Sequence, residues 1–231
     1  AMAQKYPFMN GYWKDKIPNF AKVTIPVYQT AGMSHFHLMG SVKAFRLCKS
    51  RQKWLRIHRD FEWPDTYTPE NLEDLKRFYD RYLKDIHNGW EMTPKVRVDV
   101  MDAYDDDYCT RRAETSFPLE RTEYRKYYFD ASKHVGGDVY EMSETPVATE
   151  SSVSYDGKTG QVEFDLQFKE DTELTGYMKV HMFVEADGHD DMDLFINVQK
   201  ADADGNWIPW FTLDEPHPGA WGKCRVSRRE L

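Results

Sequence analysis

The sequence predicts an α/β part at residues 1–95 followed by an all-β part at residues 96–231. Two observations carry this prediction. A short apolar run at residues 53–58 precedes a long amphipathic helical pattern, which is typical of a strand and helix of an α/β sheet. Beyond Pro94 the apolar residues alternate in short runs separated by turn residues, which is typical of antiparallel strands.

The elements of the first part follow in order. Residues 23–27 alternate between apolar and polar and predict a strand, although Pro26 weakens it. Residues 30–40 are rich in small residues and His and predict a loop. Residues 41–50 carry apolar side chains at helical spacing and predict a helix packed by one face. Residues 53–58 predict a buried strand that ends at His58.

The longest element is a helix at residues 68–86. Thr68-Pro69-Glu70 combines a capping hydroxyl, a proline in the first turn and an acid at the positive end of the helix dipole. Asn88-Gly89 is a matching stop signal. The apolar stripe between these signals predicts core packing: Leu72, Leu75, Phe78, Tyr79, Tyr82, Leu83 and Ile86.

The second part begins with an alternating, half-exposed strand at residues 96–100, a charged irregular stretch at 102–118 and an aromatic strand at 123–130. Asp156-Gly157 and Asp204-Gly205 predict tight turns. Further strands are predicted at residues 153–155, 162–168, 178–184, 194–198 and 207–211. Strands of this length and spacing predict a β-sandwich.

Composition excludes several functional classes. The net charge of -8, with both signs interspersed, argues against nucleic acid as the partner, because phosphate binding requires a basic face. The longest apolar runs are too short to span a membrane, and the N-terminus carries no signal-peptide pattern, so we expect a soluble protein. Three cysteines without metal-ligand spacing favour free thiols and a cytoplasmic location.

His58 stands where the buried run at residues 53–58 gives way to polar residues. Functional groups of open α/β sheets collect at the carboxyl ends of strands. An imidazole at such a position changes charge near neutral pH and can serve as a general base. A structural histidine satisfied by its neighbours is the alternative at this point.

The order of motifs along the chain resembles that of the CocE/NonD hydrolase family, which includes cocaine esterase, α-amino acid ester hydrolases and X-Pro dipeptidyl peptidases. The resemblance covers most of the chain. It rests on Ile25-Pro26-Val27-Tyr28, Lys53-Trp54-Leu55-Arg56-Ile57-His58, Glu62-Trp63-Pro64-Asp65, Leu75-Lys76-Arg77-Phe78-Tyr79-Asp80, Gly89-Trp90, Thr93-Pro94-Lys95-Val96-Arg97 and Leu119-Glu120-Arg121-Thr122-Glu123-Tyr124.

The resemblance implies the tail of an α/β-hydrolase domain followed by a non-catalytic jelly-roll β-sandwich. It also implies a serine hydrolase with a Ser–Asp–His triad, in which His58 is the triad histidine. Such a hydrolase cleaves an ester, amide or X-Pro peptide bond through an acyl-enzyme. No G-x-S-x-G motif occurs in the chain, so we expect the nucleophile to lie outside it. We also expect a chain that is incomplete at both ends.

By the same resemblance, the triad acid belongs to the loop after the first strand. That loop contains no Asp or Glu, and the acid position holds His35, flanked by Ser34 and His37. An imidazole cannot supply the negative charge that stabilises an imidazolium. His35 and His37 also lack a carboxylate or thiolate partner at a fixed spacing, so the sequence predicts no metal site and no cofactor.

The sequence therefore supports three hypotheses about the function. The first is an enzyme acting on a small-molecule ester, amide or peptide together with the remainder of the hydrolase domain, in the same protein or a second chain. The second is a catalytically degenerate hydrolase fold that serves as a binding or scaffold component. The third is a carbohydrate- or protein-binding sandwich that uses Trp207, Trp210 and Trp221. The sequence leaves a homo-oligomer open.

Overall fold

The computed structural model describes residues 2–103 and 106–229. Within them the chain divides into two compact units. One contains the residues up to Glu120 and those from Met178 onward, and the other is Arg121–Tyr177. The domain boundary that the sequence predicts at residue 95 stays a prediction.

Helices are concentrated in the first ninety residues. They are α1 Met2–Lys5, α2 Gly11–Asp15, α3 Leu38–Leu47, α4 Glu62–Thr66 and α5 Pro69–Leu83, with 3₁₀ turns at Phe20–Lys22, Trp90–Met92 and Val226–Arg228. Among the described residues, no helix combines the length and apolar character that crossing a membrane requires.

A four-stranded sheet organises the first half of the chain. Its strands stand in the order β1 Val27–Gly32, β2 Lys53–His58, β3 Val96–Ala103 and β4 Asp106–Glu114. The first three strands are parallel, and β4 is antiparallel to β3. The register places Gly32 opposite His58, so β1 and β2 end at the same edge of the sheet.

The two faces of this sheet are chemically different because successive side chains of a strand point to opposite sides. Leu55 and Ile57 of β2 pack with α3 in a core that also contains Ala31, Val42, Phe45, Val96 and Val98. Trp54 points to the other face, where it packs against Phe78 of α5 and against Trp90. Arg56 and His58 share that second face with Trp54, and both are buried.

Helix α5 begins where the sequence predicts. The Thr68 hydroxyl accepts a hydrogen bond from the backbone N–H of Asn71, and Pro69 occupies the first turn. The helix ends at Leu83, three residues before the predicted end. Asp85 adopts a left-handed φ of 52°, which is incompatible with a continuing helix.

Other boundaries of the α/β part differ from the predictions. Strand β1 starts at Val27, not at residue 23, because Pro26 provides no N–H for the ladder, and it runs to Gly32 inside the predicted loop. Helix α3 lies three residues earlier than predicted, and the Lys53 ammonium group binds the backbone carbonyls of Phe45 and Cys48 at its end. Helix α4 occupies a stretch that was expected to be loop.

Two predictions about β3 and β4 were wrong in part. The first three residues of β3, Val96, Arg97 and Val98, are all buried, because β3 lies inside the sheet between β2 and β4. The prediction of a half-exposed strand fails there. Strand β4 lies in the stretch predicted to be irregular, since pairing with β3 overrides its unfavourable charged composition.

The rest of the chain is rich in short strands. The unit Arg121–Tyr177 contains a sheet of β5 Tyr128–Gly136, β6 Val139–Ser143 and β7 Glu163–Asp165. The remaining strands are β8 Asp193–Val198, β9 Lys200–Ala201, β10 Trp207–Ile208, β11 Trp210–Thr212, β12 Glu215–His217 and β13 Ala220–Arg225, where β8 pairs with β13, β9 with β10 and β11 with β12.

The predicted fold class, an α/β part followed by a β-rich part, is confirmed, but several individual strands are not. Strand β5 starts five residues later than predicted, and β7 pairs parallel to β6, not as a hairpin with residues 153–155. The described residues 178–184 carry no strand despite their alternating pattern. Alternation alone predicts which face a strand would bury, and the pairing partner decides whether a strand forms.

Candidate active site

His58 is the last residue of β2 and lies at the carboxyl edge of the parallel part of the sheet. This is the edge at which open α/β sheets carry their functional groups. Its side chain is 1% exposed, and it belongs to the same sheet face as Arg56. The structure therefore agrees with the strand-end position that the sequence predicts for this histidine.

Backbone contacts fix His58 from two sides. The N–H of Met33, one residue beyond β1, donates to the His58 carbonyl at 2.8 Å. Gly32 lies directly opposite, and a Cβ there would come within 3.3 Å of Cε1 of the imidazole and 2.7 Å of the Asp60 carbonyl oxygen. Glycine at position 32 therefore allows β1 to approach the ring closely.

The chain leaving His58 is held by a carboxylate of the neighbouring strand. Asp99 of β3 accepts the backbone N–H of Arg59 at 3.1 Å and the backbone N–H of Arg111 at 2.7 Å. Arg111 adopts a left-handed φ of 49°, a costly conformation for a side chain of this size. Asp99 thus fastens the loop that follows His58 to the middle of the sheet.

The imidazole of His58 faces a buried carboxylate. Its Nδ1 lies 3.3 Å from Oδ1 of Asp65 on α4, although the angles fall short of a hydrogen bond. Among the described residues neither ring nitrogen has a hydrogen-bond partner. Burial lowers the pKa of His58, and Arg56 lowers it further, while Asp65 acts to raise it. The ring is therefore neutral at pH 7, the form that accepts a proton.

Asp65 is held in place by a buried ion pair with Arg56. Both terminal nitrogens of the Arg56 guanidinium donate to the two carboxylate oxygens, one of them at 2.8 Å, and the pair is buried. Arg56 also donates through Nε to the Tyr28 hydroxyl at 3.2 Å. Bidentate pairing of this kind fixes orientation as well as charge.

The network continues along the same face of the sheet. The Tyr28 hydroxyl donates to Asp74 of α5, which accepts two further hydrogen bonds from Arg97 at 3.0 and 2.8 Å. Burial raises the pKa of Tyr28 to about 12, so the hydroxyl stays protonated. Burial also acts to raise the pKa of Asp74, but the hydrogen bonds from Arg97 and Tyr28 outweigh it and lower that pKa.

The loop at the predicted acid position lies just beyond β1. Ser34 and His35 are buried, whereas His37 is mostly exposed. The Ser34 carbonyl accepts a hydrogen bond from the Thr212 hydroxyl at 3.0 Å, but its own hydroxyl has no partner among the described residues. The Nδ1 atom of His35 accepts the backbone N–H of His37 at 3.0 Å. Nδ1 of His35 therefore carries no proton in this arrangement.

Glu62, the first residue of α4, lies close to both histidines of the loop after β1. Its carboxylate oxygens lie 3.4 Å from Nδ1 of His35 and 3.5 Å from Nδ1 of His37. Burial lowers the pKa of His35, although Glu62 acts to raise it. These three side chains could together hold a metal ion. The sequence predicts no metal here, and that expectation stays a prediction.

Sequence reasoning missed the contacts of Asp65 with His58 and of Glu62 with the loop histidines, because it predicts a loop where α4 forms. A usable signal was present, because both carboxylates follow His58 within seven residues. The alternation of strand residues also places Arg56 beside His58. What the sequence does not reveal is that α4 folds back over the end of β2.

Comparison with known proteins shows which family the chain resembles. Residues 88–231 match the family model of the X-Pro dipeptidyl-peptidase C-terminal non-catalytic domain. Two crystal structures of a CocE/NonD family hydrolase from Staphylococcus aureus superpose over the whole chain, each with a TM-score of 0.87 and with 30% and 31% sequence identity. The chain spans 41% of the length of that protein. No curated protein matches the chain.

The structural likeness and the family match define a chain with an α/β part that carries a parallel sheet, followed by a β-rich region that matches the C-terminal domain. More narrowly, the chain belongs to the CocE/NonD hydrolase family. The family resemblance stated from the sequence motifs is thereby confirmed.

Proposed function

We propose that this chain contributes the general base of a serine hydrolase that cleaves an ester, amide or X-Pro peptide bond through an acyl-enzyme. His58 is that base, and the nucleophilic serine lies outside this chain. The observation that carries the proposal is the imidazole of His58, which ends a parallel strand at the sheet edge where hydrolases collect their catalytic groups.

The chemistry of the ring supports this role. A general base must be neutral at the working pH and must have a free nitrogen. Burial lowers the pKa of His58, and the Nε2 atom has no hydrogen-bond partner among the described residues. In the proposed reaction Nε2 takes the proton of the serine hydroxyl as the acyl-enzyme forms and returns it to the leaving group.

The test uses the complete protein that contains this chain. We expect His58→Ala and the size-preserving His58→Gln to lower turnover of a chromogenic ester or amide by at least about 10³-fold, as loss of a triad member does. His189→Ala, at an exposed turn, is the matched control and should retain the activity of the parent protein. Turnover that survives in both His58 variants would refute the proposal.

One observation favours a second candidate, a catalytically degenerate hydrolase fold that binds a partner or acts as a scaffold. The acid position of the loop holds His35, whose Nδ1 is already occupied by a backbone N–H. A fluorophosphonate probe separates the two candidates, because it labels only an activated serine. Stoichiometric labelling of the complete protein that is lost in His58→Ala supports the enzyme, and no labelling of the parent protein supports the scaffold.

A further inference from the structure

We infer that Asp65 is the positioning residue of His58 and takes the place of the acid that the loop after β1 lacks. The inference rests on the proposed function. Oδ1 of Asp65 lies 3.3 Å from Nδ1 of His58, and both side chains are more than nine-tenths buried. In a triad, a buried carboxylate at Nδ1 selects the tautomer that leaves Nε2 free to accept a proton.

The position of Asp65 is fixed independently of His58. The carboxylate accepts hydrogen bonds from both terminal nitrogens of Arg56. Its backbone carbonyl accepts hydrogen bonds from the Thr68 hydroxyl at 3.1 Å and from the Asn71 side-chain amide at 2.6 Å. The α4–α5 junction therefore holds this carboxylate rigidly, which is what an orienting group requires.

Other carboxylates near the ring are engaged elsewhere. Glu62, one turn earlier on α4, faces His35 and His37. Asp99 accepts two backbone N–H groups, and Asp60 pairs with the Arg59 guanidinium at 2.9 Å. Among the described residues, Asp65 alone places a carboxylate oxygen within 4 Å of a ring nitrogen of His58.

The 3.3 Å separation is longer than a charge-assisted hydrogen bond, which is usually 2.7–2.9 Å. Catalytic hydrogen bonds are often long before substrate binds and shorten in the reacting complex. We expect the same shortening between Nδ1 of His58 and Oδ1 of Asp65 when substrate binds.

Arg56 limits what Asp65 contributes. Its guanidinium shares the carboxylate, so it offsets part of the negative charge that would stabilise an imidazolium. We therefore assign Asp65 mainly the orientation of the ring and its tautomer, and only in part its charge. Loss of the carboxylate should cost less than loss of His58 itself.

The first experiment compares Asp65→Asn and Glu62→Gln in the complete protein. For Asp65→Asn we expect kcat to fall about 10²- to 10³-fold, because the amide can present a donor to Nδ1 and favour the wrong tautomer. The acid limb of the kcat/KM profile should also move to lower pH, since a negative charge beside His58 is removed while Arg56, Asp60 and Asp99 remain. A merely structural role would reduce the active fraction without moving that limb.

The second experiment avoids the unpaired Arg56 that Asp65→Asn leaves. Asp65→Glu keeps the charge and the ion pair but displaces the carboxylate by one methylene group, so kcat should fall about 10-fold or more while the unfolding midpoint stays near that of the parent protein. Unchanged kcat in Asp65→Glu, or a larger loss in Glu62→Gln than in Asp65→Asn, overturns the inference. Turnover that survives in His58→Ala would instead overturn the proposed function, so the two failures are distinguishable.

Discussion

The α/β part and the β-rich part of this chain bury their side chains very differently. Among the described residues, every buried hydrophobic side chain lies between Ala31 and Val98, with the single exception of Leu119. Among the described residues beyond Leu119 no hydrophobic side chain is buried, and Phe195 of β8 is 74% exposed. Buried apolar packing among the described residues is therefore concentrated in the α/β part.

Polar pairs show the same contrast. Arg97 and Asp74 form a bidentate pair that is buried on the face of the sheet that packs against α5. Arg225 and Asp193 form an equally well-aligned pair at 2.7 and 2.6 Å, but both side chains are exposed. Geometry alone would rank the two pairs as equal, whereas burial makes the first one far more consequential. The predictions below test that contrast from the largest expected effect to the smallest.

The largest effect is expected from breaking the buried pair. Arg97→Met leaves the Asp74 carboxylate buried without its main partner, and we expect a loss of about 3–5 kcal/mol in the free energy of unfolding. Urea denaturation of the full chain measures it. Arg225→Met is the matched control in the β-rich part and should leave the midpoint nearly unchanged, because its pair is screened by solvent.

A double variant checks the cause of that loss. Arg97→Met combined with Asp74→Leu removes both charges, so it should be more stable than Arg97→Met alone. A double variant that is less stable than the single one would show that the Asp74 carboxylate stabilises the fold even without Arg97, through the hydrogen bond that it accepts from Tyr28.

The second prediction compares apolar side chains. Leu55 is 0% exposed between α3 and the sheet, and Leu55→Ala should cost about 2–5 kcal/mol through lost burial and the cavity that remains. Phe195→Ala, in strand β8, removes a larger side chain but should change the unfolding free energy by no more than about 0.5 kcal/mol. A comparable loss in both variants would contradict the contrast between the two regions.

The contrast also explains which elements were predictable from the sequence. Strand β2 and the start of α5 follow from local signals, an unbroken apolar run in one and a Thr68-Pro69 cap in the other. Strand β4 and the missing strand at residues 178–184 do not, because a pairing partner decided each outcome against the local pattern.

The candidate site likewise has one feature that the sequence predicts and one that it does not. The position of His58 at a strand end was predictable, since it depends on one strand and its boundary. Its contact with Asp65 was not, because that contact depends on how α4 returns over the sheet edge. The family resemblance predicts the acid in the loop of His35, a loop that contains neither Asp nor Glu.

The third prediction concerns pH and is confined to the acid side. Burial lowers the pKa of His58 in the folded chain below its unfolded value of about 6.5. Above that pH both states are neutral and the residue adds nothing to the pH dependence. Below it the unfolded chain takes up a proton that the folded chain resists, so stability falls as pH drops from about 6.5 toward the folded pKa.

His58→Gln should therefore flatten the loss of stability between about pH 7 and pH 5, although it leaves the similar contribution of His35 in place. The urea midpoint of the full chain, measured across this range, provides the test, with the exposed His189→Gln as the control. An unaltered pH dependence in His58→Gln would mean that Asp65, Asp60 and Asp99 compensate for the burial of the ring.

The smallest change in unfolding free energy is expected from the loss of a single hydrogen bond. The Thr212 hydroxyl of β11 donates to the Ser34 carbonyl at 3.0 Å and so links a late strand to the loop at the acid position. Thr212→Val removes the donor with little change in shape and should cost about 0.5–1.5 kcal/mol. Thr212→Ser retains the hydroxyl and is the matched control.

If Thr212→Val also increases hydrogen exchange of the His35 and His37 amides while Thr212→Ser does not, the β-rich part holds this loop in place. Equal exchange in both variants would mean that contacts within the α/β part, such as those of Glu62 and Phe61 with His35, hold the loop.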